Sequence, residues 1–194
     1  MGQNTVHQIH ELAENVERLA GMEVRQKVME GSDKITASTK PEKVAAWVQG
    51  AMERLEALVG EPTRSQILVN CGHNCARANR APLERAKARR KEFQTLDEFL
   101  QAELDKPPAG MRFQREGDTL YHYYTPRAFT HPMRCYCSLL RGLPAEETVS
   151  LTYCQCSRGF VEEYWEAVLG RPVRVEVLES CVAGAEECKF AVHL

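Results

Sequence analysis

The sequence predicts an α+β protein in which an N-terminal helical half packs on a mainly antiparallel sheet carrying one inserted helix. Three observations carry this. Apolar residues recur at three- and four-residue steps through the first hundred positions, the helical period. Beyond residue 110 the period becomes two, the period of a strand. One more helical run, from Ser157 to Leu169, lies between predicted strands, and helices followed by strands argue for α+β.

Val6, Ile9, Leu12, Val16, Leu19 and Met22 form one apolar stripe on the first helix. A second helix follows Pro41, with Val44, Trp47, Val48, Met52, Leu55 and Leu58 on one face and Gly60 as its stop. The two are expected to pair as a hairpin across Gly31-Ser32-Asp33-Lys34. A third starts near Thr63, where Thr63-Arg64-Ser65-Gln66 fits a capping box, and carries Ile67, Leu68, Cys71 and Cys75 until Pro82. Residues 83–92 read as a basic helix. Thr95-Leu96-Asp97-Glu98 opens another capping box ahead of Phe99, Leu100 and Leu104, and the prolines of Lys106-Pro107-Pro108 end helical structure.

Met111–Arg115 and Thr119–Tyr124 flank Gly117-Asp118 and read as a hairpin. Thr148–Tyr153 is expected as a strand. Ser157 then caps a helix carrying Phe160, Val161, Tyr164, Trp165, Val168 and Leu169 as far as Gly170. Pro172–Leu178 and Cys188–Val192 alternate as strands around Gly184. The expectation is a single domain over 1–194, helical in 1–105 and sheet-bearing in 110–194.

The composition, 43% apolar and 27% charged, is too apolar for a disordered chain. The opening residues lack the apolar run of a secretion signal, and no stretch is long enough to span a bilayer, so a cytoplasmic protein without membrane contact is expected. Gly2 is followed by Val6 where a myristoylation signal has Ser or Thr. A net charge of −2 attracts neither nucleic acid nor anionic lipid overall. The basic run from Arg77 to Lys91 is interrupted by Glu84 and lacks aromatic interleaving, so it reads as a solvated helix face rather than a nucleic-acid surface.

Eight cysteines in a reducing compartment point to thiolate chemistry rather than disulfides. They fall as Cys71-x3-Cys75, Cys135-x-Cys137, Cys154-x-Cys156 and Cys181-x6-Cys188. On a helix Cys71 and Cys75 share a face one turn apart, where two thiolates can grip one ion; burial of the same pair in a core is the competing account. Soft thiolates select zinc, copper(I) or iron–sulfur clusters. None of the spacings is the Cys-x2-Cys of common zinc ribbons.

Cys156-Ser157-Arg158-Gly159-Phe160, the helix end Leu169-Gly170-Arg171-Pro172-Val173, then Val177-Leu178-Glu179-Ser180-Cys181, Gly184 and Cys188-Lys189-Phe190-Ala191-Val192 resemble the vinyl-reductase-type (4-vinyl reductase) small-molecule-binding domain. Cys71-Gly72-His73-Asn74-Cys75 resembles the Cys-Gly-x-x-Cys helix of a cysteine-rich bacterial family. The resemblance implies a zinc site made by Cys156, Glu179, Cys181 and Cys188, closed and tetrahedral, with sulfurs within about 4 Å of one another. Cys154 is an extra thiol beside it. Cys71, Cys75, Cys135 and Cys137 form a possible second site and are expected to face one another. An iron–sulfur cluster is the alternative cofactor, and a thiol-dependent or iron–sulfur metalloenzyme using those four cysteines is the alternative function.

The leading expectation is therefore a zinc-binding domain that takes a small, largely apolar or aromatic molecule, in a pocket bounded by Tyr121, Tyr123, Phe160, Tyr164 and Trp165. Tyr136 and Tyr153 add aromatic surface near the cysteines. His122 and His131 are candidates to lower a thiol pKa or to bind metal, against an ordinary hydrogen-bonded role. A homodimer is expected because the final strands can leave an open sheet edge.

Overall fold

Gly21 breaks the first helical stripe in two. A computed structural model describes residues 5–126 and 133–194. In it α1 (Thr5–Ala20) ends before Gly21, whose φ of 91° lies in the left-handed region that favours glycine, and Met22 falls in the separate short helix α2 (Met22–Val28). The chain then runs through α3 (Pro41–Leu58), α4 (Glu61–Ala78), α5 (Ala81–Arg90) and α6 (Leu96–Asp105). β1 (Met111–Glu116) and β2 (Thr119–Tyr124) follow, then α7 (Gln155–Leu169), β3 (Arg174–Glu179) and β4 (Cys188–His193). The protein is α+β, and the four strands form one antiparallel sheet in the order β1-β2-β4-β3.

Three local expectations are corrected. The box at Thr63 goes unused, because Gly60 is the N-cap and Pro62 already sits in the first turn of α4. The Thr95 box is formed, with Thr95 accepting from the Glu98 amide and Glu98 accepting from Thr95. Thr148–Tyr153 is no strand: Leu151–Cys154 is a 3-10 turn capped by Ser150 that runs directly into α7. The predicted hairpin of α1 with α3 is also replaced. α2 and a second 3-10 turn, Ser32–Lys34, lie between them, and α1 packs mainly on α4.

Two apolar cores result. One gathers Ile9, Leu12, Val16, Val48, Leu55 and Leu140 beneath α1 to α3. The other gathers Phe99, Phe113, Trp165, Val175, Phe190 and Val192 between α7, the neighbouring helices and the sheet. α4 contributes Ile67 and Leu68 to the first and Ala76 to the second. Its partner is α7, and this is the most extensive helix contact in the fold.

The two helices meet backbone to backbone. A Cβ on Gly72 would stand 2.0 Å from the Cys156 carbonyl oxygen, and one on Gly159 would stand 2.2 Å from that of Val69. No side chain fits at either point. Beside this crossing, His73 Nδ1 lies 2.7 Å from Glu163 Oε2 and its Nε2 lies 3.3 Å from Glu162 Oε2. Arg158 donates to Glu162 and Arg77 to Glu163. The bond to Glu162 raises the His73 pKa against a smaller burial effect. Burial works against the charge on both carboxylates, yet their bonds to His73 and the arginines hold them below the ordinary value.

Gly72→Ala is expected to cost about 3 kcal/mol or more, since overpacking against backbone cannot relax as a side chain can. Gly60→Ala meets nothing within 4 Å, loses only the N-cap preference of glycine and should cost no more than about 1 kcal/mol in chemical denaturation. The charge cluster has a signed pH dependence. His73, raised above 6.5, supports folding at lower pH and loses that support as pH rises through its folded pKa. Glu162 and Glu163, lowered below 4.5, support folding above that value and lose their support as pH falls through their folded pKa values. The destabilisation caused by His73→Gln should accordingly be larger near pH 6 than near pH 9; equal destabilisation at both would remove the charged clamp.

Candidate functional site

On one side of the α4–α7 contact lies a cavity of about 440 Å³, bounded by both helices, the N-terminal half of α1, the segment after Met133 and the end of β2. Cys71 and Cys75 reach it from α4 because they are four apart on one helical face. Cys135 and Cys137 reach it from the segment before the 3-10 turn Ser138–Leu140, and Cys156 from the first turn of α7. Tyr124, Tyr136, Tyr153, Phe160 and Tyr164 supply aromatic wall.

Most of these thiols are hydrogen-bonded, and all five stay protonated. Tyr153 Oη donates to Cys137 Sγ at 3.1 Å, and Cys137 Sγ donates to Gln8 Oε1 at 3.5 Å. Asn15 Nδ2 lies 3.5 Å from Cys71 Sγ and Asn79 Nδ2 lies 3.6 Å from Cys75 Sγ. Burial pushes Cys71 up to about 12 and Cys75 up to about 11, and holds Cys135 and Cys156 well above the usual thiol range. Cys137 is raised by burial too, with the Tyr153 hydroxyl working against the shift. These are neutral, polarisable groups near neutral pH, and thiols of this kind make poor nucleophiles.

The first expected metal set is not brought together. Cys156 lies at the cavity, whereas Cys181 and Cys188 are buried beside each other where β4 leaves the Gly184 turn. Cys154 points away from Cys156 and shares a 2.8 Å hydrogen bond with Ser180. The cause is local. On a helical segment residues two apart do not share a face, so Cys154-x-Cys156 separates its two thiols. Glu179 stands at the end of β3 on the edge of the sheet, exposed to solvent. Among the described residues no group of three or more His, Cys, Asp or Glu side chains is arranged to hold a metal ion. The zinc and iron–sulfur readings, and the metalloenzyme built on them, are corrected on that geometry.

Of the aromatic residues expected around a pocket, Phe160 and Tyr164 line the cavity. Tyr121 and Tyr123 project from the opposite face of the sheet, where Lys189 and Arg112 lie over their rings, and Trp165 is wholly enclosed in the second core. His122 borders the cavity but is locked among rings, with Phe113 at 5.0 Å and Trp165 at 6.3 Å between centroids. Trp165 Nε1 donates to its Nδ1 at 3.3 Å, which places its own proton on Nε2, a buried atom with no hydrogen-bond partner. Burial lowers its pKa to about 3. His131 lies outside the described residues. Sequence reasoning missed Gln8, Glu11, Leu12, Leu139 and Arg141, all of which line the cavity; Gln8 and Glu11 sit at the margin of the α1 stripe, and no period marks a residue that faces a hole.

A family model matches residues 3–194, nearly the whole chain. The chain belongs to the family of unknown function DUF6144. Comparison with curated proteins gives no match. Among solved structures it is similar to an Fe(II) unliganded H-NOX protein from K. algicida, at 12% identity and a TM-score of 0.47, covering 97% of this chain and 95% of that one. It is also similar to an H-NOX protein from S. oneidensis in the Fe(II)NO ligation state, at 13% identity and a TM-score of 0.42, covering 100% and 99%. Those findings correct the vinyl-reductase-type resemblance, since the matching family is another one and spans the chain. They do not carry iron over to this chain: the cavity's histidine, His122, already has Nδ1 engaged by Trp165 and Nε2 covered.

His122 should stay neutral with its proton on Nε2 across the physiological range, read from ring-nitrogen shifts in an NMR titration. The sign follows from a folded pKa lowered from 6.5 to about 3: below pH 6.5 the unfolded chain takes up a proton that the folded one refuses, so stability falls as pH drops through that window. Titration of His122 near 6.5 in the folded protein would show that the ring is not enclosed as described.

Proposed function

We propose that this chain is a binding module whose cavity takes a small, largely apolar molecule. The carrying observation is the cavity itself. About 440 Å³ falls within the ordinary range of small-molecule sites, and its wall combines aromatic rings with five protonated thiols and a few mutually satisfied polar groups. Such a wall has no charge to offer in its depth and favours polarisable, ring-bearing ligands through sulfur and edge contacts. No helix among the described residues is long and apolar enough to cross a membrane.

Indole is a suitable probe, being small, soluble and mostly apolar. It should shift the NMR signals of Leu12, Leu68, Leu139 and Cys156 and raise the melting temperature. Cys75→Phe, which puts a ring into the cavity, should abolish both effects while leaving a folded spectrum. Absence of any shift at these positions at about millimolar indole, the range where weak apolar binding is seen, would overturn the reading.

A further inference from the structure

We infer that the ligand of this cavity is an organic acid, its apolar body lying against the rings and thiols and its carboxylate meeting Arg141 at the rim. The inference rests on the small-molecule reading above and names the ligand's class. It starts from an inventory of the polar groups on the wall. Gln8 Oε1 accepts from Ser138 at 2.5 Å and from Cys137, Asn79 donates to Cys75, Tyr153 donates to Cys137, and the Glu11 carboxylate accepts from Asn74. Each of these is already engaged within the protein, and the unpartnered Nε2 of His122 is enclosed among aromatic rings.

Arg141 differs. It lines the cavity, its side chain is exposed, and among the described residues it makes no hydrogen bond or ion pair. It directly follows the 3-10 turn Ser138–Leu140, whose Leu139 and Leu140 are buried in the first core, so its backbone is anchored while its guanidinium has no hydrogen-bond partner among the described residues. The positive charge is felt at the Cys137 thiol, whereas the negative charge of Glu11 is felt at Cys71. The rim therefore has a positive side beside Cys137 and a negative side beside Cys71, and the negative side already holds the Asn74 amide.

A carboxylate suits this arrangement for two reasons. A guanidinium presents parallel N–H donors that match a carboxylate's two oxygens. The charge would also stay at the solvent-exposed rim, which avoids the cost of burying it among rings and thiols. A cationic ligand would be repelled by Arg141 and drawn to the Glu11 side, where the carboxylate is already bonded to Asn74, and a neutral one would leave Arg141 unused.

The test compares two probes of one shape, 2-naphthoate and 2-naphthamide, by calorimetric titration of the full chain at neutral pH. The wild-type protein should bind the naphthoate about fivefold more tightly, the size of effect a partly exposed ion pair gives, and the preference should shrink as salt is added. Arg141→Gln should abolish the preference and leave naphthamide affinity unchanged. Equal binding of the two probes by wild type, or a preference that survives Arg141→Gln, overturns the acid assignment while leaving the apolar cavity standing. Failure of both probes to bind overturns the acid assignment and the small-molecule reading together.

Discussion

The close crossing of α4 and α7 is the constraint on which the rest of the structure depends. Gly72 and Gly159 let each backbone reach the other at a separation that any side chain would forbid. That contact joins the two apolar cores, because α4 carries residues of both and α7 lies on the sheet. It also sets Cys71 and Cys75 of α4 beside Cys156 and Phe160 of α7, and the cavity lies against that pair of helices. Near the crossing His73, Glu162, Glu163 and the two arginines add a charged clamp across the same pair of helices.

The character of the cavity follows from burial more than from the identity of any one side chain. A cysteine in water is a modest acid; five of them removed from water and set near one another each lose their charged form, first through desolvation and then, for most, through mutual repulsion of the thiolates. Tyrosine hydroxyls and side-chain amides complete the local bonding. The wall thus behaves as apolar despite its many heteroatoms, and charge appears only at the rim, in Glu11 and Arg141.

Element type was largely legible from residue order. Three-to-four periodicity marked α1, α3 and α7, the Thr95–Glu98 box marked the start of α6, and Gly117-Asp118 marked the turn between β1 and β2. The failures were at junctions. Thr63-Arg64-Ser65-Gln66 has the letters of a capping box, but Gly60-Glu61-Pro62 starts the helix earlier. The run Thr148–Tyr153 has strand-like composition, yet Ser150 caps a 3-10 turn that feeds α7.

By itself the sequence determined the α+β class, the helical and sheet halves and the pairing of Cys71 with Cys75 on one face, because those depend on local period and spacing. Only the tertiary structure decided which other cysteines join that pair. Cys154 and Cys156 are separated by helical geometry that no two-residue spacing reveals, so Cys156 turns to the cavity and Cys154 to Ser180. Cys135, Cys137 and Arg141 arrive from a segment lacking regular period, and Gln8 and Glu11 from the edge of a helix stripe. A cavity is bounded by residues far apart in the chain, and its position is set by how α4 and α7 pack against α1, the segment after Met133 and the sheet. That is a property of packing, and it leaves no periodic mark in the order of residues.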